Sequence, residues 1–166
     1  MIRSFDGEGV AGTLRGAMAF LVVISILSVA VALAYERHWE EFWQLMPWAA
    51  LVLSGLALVA LMLRTSRATI RIARIVAVLV LVAALLGIWR HFDHNYVTAV
   101  MDQDYADRWG EMPVVERVWT VANGSVGHVP VPAAGALVPV GVTLWMTTLG
   151  LGEQSRRNPE ARRGKP

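Results

Sequence analysis

The chain has 166 residues, of which 55% are hydrophobic and 17% charged, and its formal net charge at pH 7 is +2. It contains no cysteine, which excludes disulfides, iron–sulfur clusters, thiolate zinc sites and cysteine nucleophiles. Its basic residues stand beside apolar runs, as topology signals do, so binding to nucleic acid is not expected. The composition therefore predicts an all-α integral membrane protein.

Four apolar runs are candidates for membrane-spanning helices, since crossing a hydrocarbon core of about 30 Å takes roughly 20 apolar residues. They cover about residues 15–35, 44–63, 70–92 and 131–151. The runs lack the polar face that a soluble helical bundle needs. We predict a four-helix transmembrane bundle as a single domain over residues 1–152, with a kink at Pro139. Ala32-Leu33-Ala34 leaves open the alternative that the first run is a cleaved signal peptide.

The distribution of Lys and Arg predicts the orientation. Counted against the uncharged cores of the runs (17–35, 44–63, 75–89 and 131–152), eleven of the 15 precede the first core, lie between the second and third, or follow the fourth. By the positive-inside rule, both termini are cytoplasmic, so the topology is N-in/C-in. Residues 153–166 are polar and basic, and we expect a disordered cytoplasmic tail. The preference for Arg over Lys suggests a GC-rich bacterial genome, so the expected location is the bacterial inner (plasma) membrane, as a multi-pass protein.

The interior of each run lacks charge. No Asp, Glu, Lys or Arg lies in the middle of any of the four. Ionisable residues inside spans usually mark the paths of ions or protons, so a secondary transporter or a proton pump is not favoured. Small residues one helical turn apart, such as Ala73 and Ala77, favour close packing between the helices.

The connection between the third and fourth runs, residues 97–130, is the longest segment outside the spans. Its first half is acidic, and its second half has apolar residues at helical spacing. We predict a short interfacial helix over 113–122 that lies on the outer membrane surface, with Trp109 and Trp119 as anchors. Asn123-Gly124 is the predicted stop.

All four histidines fall on the predicted outer side. Imidazole and carboxylate groups bind zinc or copper, so one interpretation is a metal site. Its predicted ligands are His91, His94, His38, Glu41 and His128. The other interpretation needs no cofactor: the same polar groups form a hydrogen-bonded cap where the helices meet water.

Three short motifs carry a resemblance to a known group. They are Glu36-x-His38 with Pro47, then Gly87-Ile88-Trp89-Arg90-His91-x-x-x-Asn95, and Pro130-x-Pro132-Ala133-Ala134-Gly135. In these the chain resembles small, uncharacterised bacterial four-span membrane proteins. Members of this group usually have an acidic residue soon after the asparagine that corresponds to Asn95. In this chain, no acidic residue follows Asn95 before Asp102. The resemblance implies a fold and no activity.

The functional expectation is a protein without enzymatic activity. The sequence has no nucleophile–base pair and no phosphate-binding glycine loop. We expect a structural or accessory subunit of a bacterial membrane complex, whose partners are the lipid bilayer and a larger membrane protein or further copies of itself. The alternative is a membrane protein that binds zinc or copper through histidines facing the periplasm.

Overall fold

The computed structural model describes residues 9–127 and 135–151. All regular structure in these two ranges is helical. Two 3-10 turns, Phe42–Gln44 and Ala99–Met101, accompany the α-helices. The α-helices are α1 (Val10–Tyr35), α2 (Leu45–Leu63), α3 (Arg67–Thr98), α4 (Val114–Ala122) and α5 (Leu137–Thr147).

The chain divides into two compact units. One is Met1–Ala83 with Leu137–Pro166, which we call the core unit. The other is Ala84–Ala136, which we call the loop unit. Helix α3 begins in the core unit and ends in the loop unit.

Helix α1 ends in a left-handed turn that begins the connection to α2. The backbone N–H of His38 donates to the Leu33 carbonyl at 2.9 Å, and that of Arg37 donates to the Ala34 carbonyl at 3.1 Å. Arg37 adopts a φ of 51°, a region that glycine favours. The indole N–H of Trp48 donates to the His38 carbonyl at 2.8 Å and so fastens the connection to α2.

A connection of three residues, 64–66, joins α2 to α3. The backbone N–H of Thr69 donates to the Ser66 hydroxyl at 3.2 Å, and the Ser66 N–H donates to the Thr69 hydroxyl at 2.9 Å. This reciprocal pair is a capping box, with threonine in place of the usual acid. It satisfies backbone donors that the start of a helix leaves without a partner.

In the core unit, α5 packs mainly against α1, and smaller contacts join α1 to α2 and α2 to α5. Each helix turns inward a row of residues spaced three or four apart. The row on α3 includes Ala73 and Ala77, which confirms that these small residues are packing positions. Larger buried side chains in the unit are Val22, Leu33, Leu51, Leu58, Leu61, Val80, Val140 and Leu144.

Gly141 brings α5 close to α3. A Cβ atom built at this glycine would lie 2.8 Å from Cγ of Leu81 and 3.0 Å from the carbonyl oxygen of Ala77. Real Cβ atoms essentially never approach a neighbour within 3.0 Å. The missing side chain therefore sets how closely these two helices can pack.

The outward faces of the first three helices are as apolar as their inward faces. Phe20, Leu56 and Ile72 are exposed, as are many other large apolar residues. Three segments, Val10–Tyr35, Phe42–Leu63 and Arg67–Met101, are long and apolar enough to cross a membrane. These helices fit a membrane-embedded protein, and they confirm that the chain is all-helical with apolar segments of membrane length.

The helix in the predicted fourth span is shorter. Helix α5 has 11 residues, whereas crossing the hydrocarbon takes roughly 20. Residues 131–134 and 152–166, which belong to the predicted span and tail, lie outside the described residues. Pro139 is in the first turn of α5, where its missing N–H interrupts no helical hydrogen bond. The predicted kink concerns the junction with residues outside the described ranges, so it stays a prediction.

Two arginines meet the C-terminal end of α5. The Nε of Arg74 donates to the Thr148 hydroxyl at 3.0 Å, and its guanidinium lies 5.6 Å from the ring centroid of Trp145. Arg15 is buried, with 5% of its surface exposed, beside Gly150. Since the C-terminus of a helix carries partial negative charge, both cations stabilise it. The starts of α1 and α3 thus lie at the same end of the core unit as the end of α5.

Candidate functional site

Two of the predicted metal ligands lie on the C-terminal part of α3, in the loop unit. His91 is half-buried and His94 is exposed. Since they are three residues apart on a helix, they share a face. Helix α3 continues to Thr98, so both histidines lie within the helix. The hydroxyl of Thr98 donates to the His94 carbonyl at 2.8 Å, which adds a bond near the end of the helix.

The other predicted ligands lie elsewhere. His38 is half-buried in the connection after α1, and Glu41 caps the 3-10 turn that precedes α2. Both belong to the core unit, whereas His128 lies outside the described residues. Across residues 9–127 and 135–151, no three His, Asp or Glu side chains form a group that could hold a metal ion. Zinc or copper binding by this set stays a prediction.

The loop unit has a hydrophobic core of its own. The rings of Tyr96 and Trp109 meet edge to face, with centroids 5.5 Å apart, and those of Phe92 and Tyr96 stack at 6.1 Å. The connection after α3 is thus a folded structure that packs on the end of that helix. Its buried residues are Ala99, Trp109, Met112, Val121 and Val126, with Ile88, Phe92, Tyr96 and Tyr105 packed against them.

Asn95 is the most deeply buried polar residue of the loop unit, with 1% of its surface exposed. Gly127 lies directly against it: a Cβ built at this glycine would be 2.7 Å from the Cβ of Asn95 and closer still to its amide group. The N–H of Gly127 donates to the Asp102 carboxylate at 3.4 Å. The last described residue of the connection is therefore held against both α3 and the start of the loop.

Helix α4 confirms the helix and the stop that the sequence predicts in this connection. It covers Val114–Ala122, and Pro113 is its N-cap. The chain then turns at Gly124, whose φ is 77°. The N–H of Ser125 donates to the Thr120 carbonyl at 3.0 Å, which completes the glycine-based cap.

The orientation of α4 corrects one expectation and leaves an apolar face exposed. Trp109, predicted as a membrane anchor, has only 4% of its surface exposed because it fills the core of the loop unit. That prediction is wrong for Trp109, whereas Trp119 is 68% exposed. Thr120 and Val121 are the buried residues of α4. Its exposed apolar row, which we call the α4 face, consists of Val114, Val115, Val118 and Trp119.

Sequence reasoning missed the core of the loop unit. Trp109, Met112 and Val126 are isolated apolar residues in a polar stretch, so no periodicity marks them. The available signal was the presence of Trp109 and Tyr105 in a segment otherwise rich in acids. Large aromatic residues are usually buried when the chain offers them a partner.

The loop unit carries more acidic than basic residues. Asp107, Glu111 and Glu116 are exposed on the loop unit. Two nearby arginines are engaged within the unit, because Arg117 donates from Nε to the Met112 carbonyl at 2.8 Å and Arg108 lies 4.6 Å from the ring centroid of Tyr105. The described part of this unit thus has an exposed apolar face on α4 and a net negative charge, with six Asp and Glu against three Arg.

Comparison with protein-family models, curated proteins and solved structures found no match. The site is therefore interpreted from its own geometry and chemistry, because a fold alone does not imply a function. The described residues form a folded loop unit with an exposed apolar helix face and a net negative charge.

Proposed function

We propose that the chain is a four-span protein of the bacterial plasma membrane with both termini in the cytoplasm. The arrangement of charge in the core unit supports this topology. Arg15 and Arg74 lie at the end where α1 and α3 begin, and Arg64 and Arg67 flank the α2–α3 connection. The acids among the described residues of the unit, Glu36, Glu40 and Glu41, follow α1 at its other end. The arginine-rich end is the cytoplasmic one by the positive-inside rule.

The function that we propose is that of a non-enzymatic accessory subunit in a larger membrane-protein complex. The observation that carries the proposal is the exposed α4 face. Val115, Val118 and Trp119 project from a unit that already has its own core, so their exposure serves no internal packing. An exposed apolar row on a helix is a usual means of docking into a groove on another protein.

The net negative charge of the loop unit favours a protein partner over the membrane surface as the occupant of the α4 face. Bacterial membranes carry anionic lipids, which Asp107, Glu111 and Glu116 would repel. A partner with an apolar groove and a basic rim satisfies both features, since complementary charge guides association. The partner expected from this chemistry is a membrane protein with a basic domain on the outer side.

Extraction from native membranes tests the proposal. In mild detergent, we expect the chain to migrate with a larger protein, and a Val115→Glu/Trp119→Glu variant to migrate alone with unchanged helix content. A Gln103→Glu/Asn123→Asp variant is the control, because it adds similar charge at exposed polar positions of the same unit. Migration of the wild-type chain as a free monomer would count against an accessory subunit. Migration as a multiple of its own mass would identify a second copy as the partner.

A second candidate function is zinc or copper binding, which the shared face of His91 and His94 favours. Two imidazoles fall short of the three or four protein ligands that zinc sites usually have. Further ligands would have to come from His38, Glu41 or His128. The accessory role is therefore our leading proposal.

A further inference from the structure

A groove of about 320 Å³ opens on the surface of the core unit, where the first half of α3 lies beside α5. Its volume lies within the range of small-molecule sites, roughly 300–1,000 Å³. Its surface is almost entirely apolar, and the two arginines at one end contribute mainly the hydrocarbon parts of their side chains. The lining residues are Arg71, Arg74, Ile75, Val78, Leu79 and Trp145.

The groove has a polar end and an apolar end along α3. Arg71 and Arg74 come first, and Ile75, Val78 and Leu79 follow at spacings of three and four, so all five lie on one face of the helix. The arginines stand near the start of α3, at the end of the core unit where the other basic residues collect. The apolar residues continue toward the middle of the membrane-length segment.

Arg74, one of the two arginines at the polar end of the groove, is held in place by Thr148 and Trp145. Arg74 donates from Nε to the Thr148 hydroxyl at 3.0 Å and from its terminal nitrogen to the Thr148 carbonyl at 3.4 Å. The ring of Trp145 lies 5.6 Å from the same guanidinium. A group fixed in this way loses little conformational freedom when it binds an anion.

No acidic residue of the described core-unit helices competes for these arginines. The sequence has no Asp or Glu between Glu41 and Asp93, and none within 9–35 or 135–151. Arg71 is exposed. Among the described residues of the core unit, no acid therefore offsets the charge of the two arginines at this end of the groove.

We propose that this groove binds an anionic glycerophospholipid. The phosphate lies between Arg71 and Arg74, since guanidinium groups match phosphate geometry, and an acyl chain follows Val78 and Leu79. A free phosphate ion would satisfy only the polar end. A lipid uses both ends and enters from the bilayer, where the apolar side chains are exposed.

Native mass spectrometry of the delipidated full chain in detergent tests the proposal. The probes are phosphatidylglycerol, phosphatidylcholine with the same acyl chains, and inorganic phosphate as a competitor. We expect one phosphatidylglycerol to be retained more strongly than phosphatidylcholine, and millimolar inorganic phosphate not to displace it. Phosphatidylcholine has the same phosphate and chains but a zwitterionic choline head group, so the comparison tests for preference for an anionic head group.

Three variants assign the binding to the groove. Arg71→Gln should weaken retention of phosphatidylglycerol about five-fold, the usual contribution of one arginine near an anionic lipid. Val78→Trp should weaken it by filling the groove while both arginines remain. Arg64→Gln/Arg67→Gln removes two charges from the same end outside the groove, so this control should bind as the wild-type chain does.

Equal loss in the control and in the groove variants would overturn the site in favour of general attraction to a basic surface. Equal retention of the two lipids, or displacement by inorganic phosphate, would overturn the lipid as its occupant. A groove variant that changes oligomeric mass without changing lipid retention would show that a second copy of the chain covers the groove.

Discussion

Gly127 packs against Asn95 so closely that no side chain fits between them: a Cβ at residue 127 would lie 2.7 Å from the Cβ of Asn95. Gly127 also has a φ of 88°, which L-residues rarely adopt. We expect Gly127→Ala to destabilise the loop unit by about 2–4 kcal/mol, from backbone strain and overpacking together. Limited proteolysis in detergent should then cleave the segment 99–127 faster.

Gly124→Ala is the matched control for that variant. Its φ of 77° is similar, but no atom lies within 4 Å of the added Cβ. It should therefore show the backbone effect alone, about 1–2 kcal/mol. Equal effects of the two substitutions would mean that the contact with Asn95 contributes nothing to stability.

A second glycine sets the distance between two helices of the core unit. A Cβ at Gly141 would meet Leu81 at 2.8 Å and the Ala77 carbonyl at 3.0 Å. We expect Gly141→Ala to lower stability by about 1–3 kcal/mol, because α5 must move away from α3. Gly55→Ala, at a helical site with nothing within 4 Å, should instead raise it by about 0.5–1 kcal/mol. The thermal stability of the two variants is compared in the same detergent. Stability changes of the same sign would contradict a close approach of α5 to α3 at Gly141.

The turn after α1 offers a stabilising substitution. Arg37 is the only residue other than glycine with positive φ among those described, at 51°. Replacement by glycine removes the strain of a left-handed L-residue, so Arg37→Gly should raise the free energy of unfolding by about 1 kcal/mol. Glu36→Gly, at a φ of −78°, has no such strain to relieve and should not stabilise. If Arg37→Gly instead lowers stability, the contacts of the arginine side chain contribute more than the backbone strain costs.

The cysteine-free sequence allows a direct test of topology. Ala68 and Ser125 are exposed, so single cysteines that replace them should be accessible to a reagent. A third cysteine that replaces Ser155 tests the C-terminal segment. Ala68 is preferable to Ser66, whose hydroxyl caps α3. In intact cells, an impermeant thiol reagent should label only the cysteine at residue 125, and permeabilised cells supply the control. Labelling at residue 68 in intact cells would invert the proposed orientation.

The sequence predicted the parts of the fold that follow from the membrane as solvent. Long apolar runs made α1, α2 and α3 evident, because each must bury its backbone polar groups in a helix. Asn123-Gly124 likewise marked the end of α4 through the conformational preference of glycine. These signals are local, and they need no knowledge of tertiary contacts.

Features that depend on distant contacts were beyond the sequence. Trp109 has the pattern of an interfacial anchor, yet it is buried because Tyr96 and Met112 surround it. The partnership of Arg74 with Thr148 joins residues 74 positions apart, and no spacing rule connects them.

The histidines of α3 provide the last prediction. His91 is half-buried and His94 exposed, and the described residues bring no third ligand to them. We therefore expect the pair to act in stability, as parts of a polar helix end, and the purified chain to hold no stoichiometric zinc or copper. His91→Ala should lower the free energy of unfolding by about 1–3 kcal/mol, since a half-buried polar group loses its contacts. His94→Ala, at an exposed site, should change it by less than about 0.5 kcal/mol. The metal content of each variant is measured after purification without chelators, and again after titration with zinc or copper. These values are then compared with the thermal stability of the same variants. Stoichiometric metal that is lost in His91→Ala/His94→Ala would instead establish the histidines as ligands.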